Sequence, residues 1–138
     1  MTGHKIFIDS NIIVYLIDSR SKEKTKKAQD ILSPSFLIST QVIAENVNVC
    51  LKKLKLSKET AFDFGRSILK EFKIAQITKE ILLKSFDISI KYQLGSWDSL
   101  IVATALLNDC ALLYSEDMQD GLVIENVLTI RNPFKLIA

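Results

Sequence analysis

The chain has few of the residues on which several common kinds of enzyme chemistry depend. His4 is the only histidine, and its place near the N-terminus argues against catalysis by a histidine acid–base pair. Cys50 and Cys110 are the only cysteines. They form no closely spaced pair, which argues against a zinc site or a disulfide framework and indicates two reduced thiols in the core of a cytosolic protein.

Long apolar runs and an excess of one charge are also missing. No segment approaches the roughly 20 apolar residues of a membrane-spanning helix, and residues 1–5 lack the apolar stretch of a signal peptide. The 18 lysines and arginines nearly balance the 16 aspartates and glutamates, which leaves a net charge of +2. We therefore expect a cytoplasmic protein without membrane contact, and total charge alone does not indicate a nucleic-acid-binding protein.

Glycine (4) and proline (2) are scarce, which predicts short loops and many helices. The 138 residues suit a single domain over 1–138. Strand-like apolar segments alternate with helical patterns, which predicts an α/β fold with a mostly parallel sheet. The expected strands are 5–9, 36–39, 73–77, 110–115 and one short strand within 123–130. The expected helices are 10–17, 22–32, 40–54, 57–72, 79–92 and 96–107. Ser21, Thr40, Thr78 and Ser96 are expected to cap helices, and Gly95 to end one in the left-handed conformation.

The N-terminal segment Lys5-Ile6-Phe7-Ile8-Asp9-Ser10-Asn11 joins a strand to a helix through an acidic residue. Ligands of open α/β sheets bind at the carboxyl ends of the strands, and a buried carboxylate without a partner is costly. Asp9 therefore either caps the following helix or binds a cation. In the second case Ser10 or Asn11 is expected to take the capping position.

Three more acidic positions share this placement where regular structure meets the core. Glu45 lies within one helical turn of valines on either side, on the helix after the second strand. Asp98 stands in the first turn of its helix, and its i, i+3, i+4 spacing with apolar residues predicts that it points along the buried face. Asp117 follows the fourth strand, with Glu116 and Asp120 nearby.

Carboxylates gathered in one low-dielectric cleft repel one another and raise each other's pKa. A divalent cation removes that repulsion, and ligands that are oxygen atoms only, without histidine or cysteine, favour Mg²⁺ or Mn²⁺. Such an ion activates water and stabilises charge on a phosphate. The acidic set therefore points to metal-dependent hydrolysis of phosphodiester bonds.

Four segments, in this order, resemble a PIN domain. They are Phe-Ile-Asp-Ser-Asn-Ile at 7–12, Ser-Thr-Gln-Val-Ile-Ala-Glu-Asn at 39–46, Trp-Asp-Ser-Leu-Ile-Val-Ala-Thr-Ala at 97–105 and Leu-Leu-Tyr-Ser-Glu-Asp at 112–117. The chain is most similar to the compact VapC-type toxins of bacterial and archaeal toxin–antitoxin pairs. The resemblance implies a three-layer α/β/α sandwich and an endoribonuclease that uses Mg²⁺ or Mn²⁺. It also implies a homodimer that a partner antitoxin protein silences.

The resemblance further implies a set of catalytic acids that bind the metal ion, with two polar residues that orient them. The acids are Asp9, Glu45, Asp98 and Asp117, and the orienting residues are Asn11 and Ser115. Asp117 fits the fourth position best, but Glu116 and Asp120 compete for it because all three acids follow the same strand.

Two groups of lysines are candidates for binding the RNA backbone. They are Lys22, Lys24, Lys26 and Lys27 on one helix, and Lys52, Lys53 and Lys55 around the end of another. The alternative is an ordinary solvated surface and, for the second group, a favourable interaction with the helix dipole. Trp97 and Tyr15 are aromatic residues that suit base stacking, but both adjoin apolar runs and are expected to pack in the core.

Other functions fit the pattern less well. A haloacid-dehalogenase-like phosphatase with a nucleophile at Asp9 would need a second aspartate at the position of Asn11. A response-regulator receiver would need paired acids near the first strand and a lysine after a late strand. A non-catalytic PIN-like module for RNA binding or assembly is the alternative that we retain.

Overall fold

The structure, a computed structural model, describes residues 5–136. The strands are β1 (Ile6–Ile8), β2 (Leu37–Ser39), β3 (Lys73–Ala75), β4 (Leu112–Tyr114), β5 (Val123–Ile124) and β6 (Leu128–Arg131). The helices are α1 (Ser10–Ile13), α2 (Lys22–Ile31), α3 (Thr40–Lys52), α4 (Lys58–Glu71), α5 (Lys79–Tyr92) and α6 (Ser96–Leu107). Short 3₁₀ segments cover Val14–Leu16 and Pro133–Leu136.

The six strands form one sheet in the order β3-β2-β1-β4-β6-β5. Neighbouring strands are parallel except for β5, which pairs antiparallel with β6. Parallel neighbours end at the same edge of a sheet, so the residues after β1, β2 and β4 come together there. The expected α/β/α sandwich with a mostly parallel sheet is confirmed.

The core is built on the central strand and on the helix that precedes β4. Phe7 and Ile8 of β1 are fully buried. Helix α6 is buried along its whole middle part, residues 99–105, because it is apolar on nearly every side. Asp98, in the first turn of α6, is therefore carried by an element that the core holds firmly.

Three local predictions at helix ends are wrong. Ser39, not Thr40, caps α3, since its hydroxyl accepts a hydrogen bond from the Val42 amide. The left-handed residue after α5 is Gln93 (φ 56°) rather than Gly95, and Gly95 rather than Ser96 occupies the N-cap position of α6. The caps predicted at Ser21 and Thr78 are present.

The single short strand expected within 123–130 is two strands, β5 and β6. A tight turn joins them, with positive φ at Glu125 (51°) and Asn126 (59°). The turn contains no glycine, the residue that most often marks such a turn, so it was hard to predict from the sequence. Contacts from α5 hold Glu125 in this conformation: its amide donates to the Tyr92 hydroxyl at 2.8 Å, and its carboxylate pairs with Lys84 at 2.9 Å.

None of the helices within residues 5–136 combines the length and the apolar character that crossing a membrane requires.

Helices α3 and α4 pack closely at a glycine. Gly65 is buried in the middle of α4, and a Cβ atom built on it would lie 2.9 Å from the Cγ2 methyl group of Val47 on α3. The absence of a side chain at Gly65 therefore sets the separation of the two helices.

We expect Gly65→Ala to destabilise the protein by about 1 kcal/mol. The higher helix propensity of alanine stabilises the folded protein by about 1 kcal/mol. Overpacking against the stiff side chain of Val47 destabilises it by about 1–3 kcal/mol. Urea denaturation measures the difference. Adding Gly65→Ala to a Val47→Ala background should instead stabilise that background, because the clashing methyl group is gone; a loss of similar size in both backgrounds would contradict the packing explanation.

Candidate metal centre at the carboxyl edge of the sheet

Asp9 lies at the end of β1 with only 4% of its surface exposed. Its backbone amide continues the sheet by donating to the carbonyl of Tyr114 on β4 at 3.0 Å. Its carboxylate Oδ1 accepts a hydrogen bond from the Ser10 amide at 2.7 Å, which makes Asp9 itself the N-cap of α1. The expectation that Ser10 or Asn11 caps this helix is therefore wrong, since both lie inside α1.

The second carboxylate oxygen of Asp9 faces the two residues that were expected to orient it. The Ser115 hydroxyl donates to Asp9 Oδ2 at 2.9 Å, and the Asn11 amide group donates to the same oxygen at 3.3 Å. Asn11 Oδ1 in turn accepts from the Glu116 amide at 3.1 Å. Asn11 thus connects α1 to the loop after β4, and Ser115 connects that loop to Asp9.

The environment of Asp9 disfavours its charge. Burial raises the pKa of Asp9 to about 6, hydrogen bonds from Ser115 and Ser10 oppose the rise, and the charges of Asp98 and Glu45 add to it. A carboxylate in this condition is strongly stabilised by a cation.

Glu45 lies half-buried in the second turn of α3. Burial raises its pKa, the Ser10 and Gln41 side chains oppose the rise, and the charge of Asp98 adds to it. Gln41 Nε2 donates to Glu45 Oε2 at 3.5 Å and to the carbonyl of Trp97 at 3.3 Å. Gln41 therefore connects the second acid to the helix that carries the third.

Asp98 does not lie on the buried face of α6 as expected; it is exposed at the start of the helix. Its carboxylate is nevertheless partly shielded from water. This burial raises the pKa of Asp98, and the charge of Asp117 raises it further. Asp117 is also exposed, in the loop after β4.

The two acids that competed with Asp117 are engaged elsewhere. Glu116 accepts a hydrogen bond from the Tyr15 hydroxyl at 2.7 Å and forms an ion pair with Lys24. Asp120 Oδ1 accepts a hydrogen bond at 2.8 Å from the amide of Asn132, the residue after β6. Asp117 is thus the acid of this loop that is left facing Asp98, which favours it as the fourth member.

The four acids share one region, as their mutual effects on pKa indicate. They do not form a contracted cluster: within residues 5–136, no three acidic, histidine or cysteine side chains are close enough to hold a metal ion together. Without a cation, repulsion between like charges disfavours a closer approach of such carboxylates. Carboxylate oxygens around a buried, hydrogen-bonded aspartate nevertheless fit a hard divalent cation such as Mg²⁺ or Mn²⁺, which needs only a few protein ligands besides water.

The lysine groups lie on the surface, but Lys24 has a specific partner. Its pair with Glu116 places it near the aromatic rings of Tyr15 and Phe134, 5.5 Å from each centroid. The remaining candidates are Lys22, Lys26 and Lys27 on α2 and Lys52, Lys53 and Lys55 at and just after the end of α3, and all but the half-buried Lys27 are exposed.

The expected packing of Trp97 in the core is wrong, since the residue is 68% exposed. Tyr15 is half-buried and packs edge-to-face on Phe134 at 5.1 Å. The sequence analysis missed Gln41 and Asn46, two buried polar residues on α3 whose side-chain oxygens have no hydrogen-bond partner within the described part of the chain. A polar residue on an otherwise apolar helix face was the available signal for both.

Comparison with known proteins supports the architecture. The sequence model of the PIN domain matches residues 6–119, and no curated protein matches the sequence significantly. A toxin–antitoxin complex from Klebsiella pneumoniae contains a similar chain, with 27% identity, coverage of 94% of this chain and 98% of that one, and a TM-score of 0.70.

Two further solved structures share the fold at lower identity. One is a DNA-bound VapBC from Salmonella typhimurium, with a TM-score of 0.72, 12% identity and coverage of 95% and 99% of the two chains. The other is the sarcin–ricin-loop-cleaving toxin VapC20 of Mycobacterium tuberculosis, with a TM-score of 0.69, 12% identity and coverage of 82% and 90%. The resemblance to VapC-type toxins is confirmed.

We expect Asp9→Asn to stabilise the metal-free protein at pH 8 by about 1–2 kcal/mol. The folded protein binds the Asp9 proton more tightly than the unfolded chain, because the pKa of Asp9 rises from 3.8 to about 6. The contribution of Asp9 to the free energy of unfolding is therefore fully present below about pH 4, and it is lost as the pH rises through about 6. The full loss is of the order of 3 kcal/mol, part of which the altered hydrogen bonds of asparagine offset.

Urea denaturation in EDTA at pH 4, 6 and 8 measures this effect. The gain of Asp9→Asn should vanish near pH 4, and Asp30→Asn, on the exposed side of α2, should change little at any pH. Asparagine caps helices about as well as aspartate does, so a loss of stability of more than about 2 kcal/mol at pH 8 would contradict the prediction and show that hydrogen bonds to the ionised carboxylate outweigh its burial.

Proposed function

Since the chain belongs to the PIN domain family, we propose that it is a metal-dependent endoribonuclease and the toxin of a toxin–antitoxin pair. The observation that carries this proposal is the buried carboxylate of Asp9, hydrogen-bonded by Ser115 and Asn11 and destabilised by its acidic neighbours. A purely structural aspartate has no need of further acids such as Asp98 and Glu45 near it. A site that binds a divalent ion does.

Asp9, Asp98 and Asp117 would hold one or two Mg²⁺ or Mn²⁺ ions, and Glu45 would bind directly or through water. A bound ion supplies a water molecule of lowered pKa and neutralises charge on the scissile phosphate. Ser115 and Asn11 hold the Asp9 carboxylate in place, and Gln41 does the same for Glu45. Outer residues of this kind are commonly needed to orient metal ligands.

The proposed products are a 5′-phosphate and a 3′-hydroxyl. Cleavage through the 2′-hydroxyl uses paired acid–base groups such as histidines, and residues 5–136 contain no histidine. The exposed lysines of α2 and α3 would contact the RNA backbone, which makes binding sensitive to salt. Lys24 is the exception, because its ion pair with Glu116 holds the loop that carries Asp117.

The proposed partners are an RNA substrate, an antitoxin protein and a second copy of the chain, in the cytoplasm. Structures of related folds that contain an antitoxin support the second of these. A stripe of exposed apolar residues on α5 supports the third. The stripe consists of Leu82, Phe86 and Ile90, which are 42%, 58% and 79% exposed and follow one another at i, i+4 and i+8 along one face.

A non-catalytic RNA-binding or assembly module is the second candidate function. The observation in its favour is the separation of the acids, no three of which within residues 5–136 stand as close as metal ligands do. Calorimetric titration with Mn²⁺ distinguishes the two functions, because the module would show no binding that depends on Asp9 or Asp98.

We expect purified protein to cleave RNA in the presence of Mg²⁺ or Mn²⁺ and to lose cleavage in EDTA. Asp98→Asn should reduce the rate by more than about a hundredfold, since even residues behind the metal ligands commonly contribute 10–100-fold. Asp63→Asn, an exposed change on α4, is the matched control and should cleave normally. Equal rates for Asp98→Asn and the control would rule out the proposed mechanism.

We expect the protein to be a dimer in solution and Phe86→Ser to shift it toward the monomer. Light scattering coupled to gel filtration measures the mass at several concentrations. Leu69→Ser, which changes a residue 48% exposed on α4, is the control and should leave the mass unchanged. If both variants keep the wild-type mass, the α5 stripe is not the interface between copies.

A further inference from the structure

Trp97 is exposed at the edge of the acidic site. It is the only tryptophan of the chain, it is 68% exposed, and it immediately precedes Asp98. Tryptophan is enriched at binding interfaces, because its large apolar ring and its N–H group both find partners there. The position of Trp97 at the N-terminal end of the buried helix α6 also fixes its backbone firmly.

A cavity of about 600 Å³ lies between Trp97 and helix α3. Its floor is apolar, formed by Ile77 and Leu100. The α3 side carries the polar side chains of Thr40 and Asn48, and Glu45 lines the same cavity. An aromatic wall, an apolar floor and a polar rim thus adjoin one of the four acids.

The side chain of Gln41 connects the backbone of Trp97 to Glu45. Gln41 also lines the cavity, and its amide group donates to both Glu45 Oε2 and the Trp97 carbonyl. The backbone that carries the indole is therefore held beside Glu45, because one side chain hydrogen-bonds to both.

We infer that this cavity takes one unpaired nucleobase of the RNA substrate, stacked on Trp97 next to the scissile phosphate. The inference rests on the proposed ribonuclease function. Any base has a π-face that an indole can stack on, while the rim residues Thr40 and Asn48 offer hydrogen-bond donors and acceptors to the edge of a base. Trp97 also lines a separate cavity of about 410 Å³ with the apolar stripe on α5, and that apolar cavity suits a protein surface better than the polar-rimmed cavity beside Glu45.

The stacked base must be unpaired, since a base inside an RNA duplex shows neither face to a side chain. The site therefore selects single strands, loops or bulges over duplex RNA. The phosphate next to the stacked base lies close to Glu45, so Trp97 sets which phosphate of the strand reaches the acids. Trp97 is in this sense a residue that determines specificity.

Intrinsic fluorescence tests the inference directly, because Trp97 is the only tryptophan. The protein is titrated in EDTA with oligouridine and oligoadenosine of ten nucleotides each. Inorganic polyphosphate serves as the ligand without bases. We expect both oligonucleotides to quench the emission of Trp97 and polyphosphate to leave it nearly unchanged. Binding of labelled oligonucleotides, followed by anisotropy in the same buffer, gives the dissociation constant.

Substitutions separate stacking from packing. Loss of a base–aromatic stack corresponds to a weakening of about 5–150-fold, so Trp97→Ala should raise the dissociation constant and KM by a factor in that range with little change in kcat. Trp97→Phe should keep most of the affinity. Phe62→Ala, which removes another exposed aromatic ring on α4, is the control and should bind RNA as the wild type does.

Two outcomes would overturn the inference. One is binding of oligonucleotides by anisotropy without any change in Trp97 emission. The other is emission that changes with protein dilution, together with a dimer-to-monomer shift in Trp97→Ala, which would assign the indole to contact between copies. Quenching without cleavage by the wild type would refute the proposed ribonuclease function alone, whereas cleavage without quenching would refute only the stacking site.

Discussion

The burial of one carboxylate determines much of the structure around it. Asp9 stands at the end of the central strand, where water is excluded, and its charge is tolerated only because several groups donate hydrogen bonds to it. Those groups come from both sides of the sheet edge: the Ser10 amide from α1, and the Ser115 hydroxyl from the loop after β4. The requirement to satisfy Asp9 therefore holds two segments together that are about a hundred residues apart in sequence.

The loop after β4 is fixed at several further points. Ser115 is bound to Asp9, Glu116 to Tyr15 and Lys24, and Asp120 to the Asn132 amide. Each of these contacts is made by a residue close to Asp117 in sequence and does not involve the Asp117 carboxylate. The fourth acid is thereby placed by its neighbours, while its own carboxylate remains exposed. This division of roles is a common arrangement at metal sites, where residues behind the ligands set their orientation.

The sequence predicted the parts of this structure that depend on local patterns. Alternation of strands and helices gave the parallel sheet, and the acids after β1 and β4 were found because an apolar strand running into a carboxylate is visible in the sequence. What depends on tertiary contact was missed. The hairpin at Glu125 needs support from Lys84 and Tyr92 on α5. Helical spacing placed Asp98 toward the core, and the adjoining apolar run did the same for Trp97, yet both residues are exposed in the first turn of α6. Whether the four acids bind a metal ion stays a prediction.

The two edges of the sheet have a separate consequence for how the protein behaves when it is concentrated. One edge strand, β5, is two residues long, and the other, β3, is three residues long and begins with the exposed Lys73. Such short edges offer an incoming strand few backbone groups to pair with, and a charge at the edge disfavours it further. Copies of the chain are therefore poor templates for strand-by-strand growth, and the protein can accumulate without the fibrous aggregation that longer, flatter edges invite.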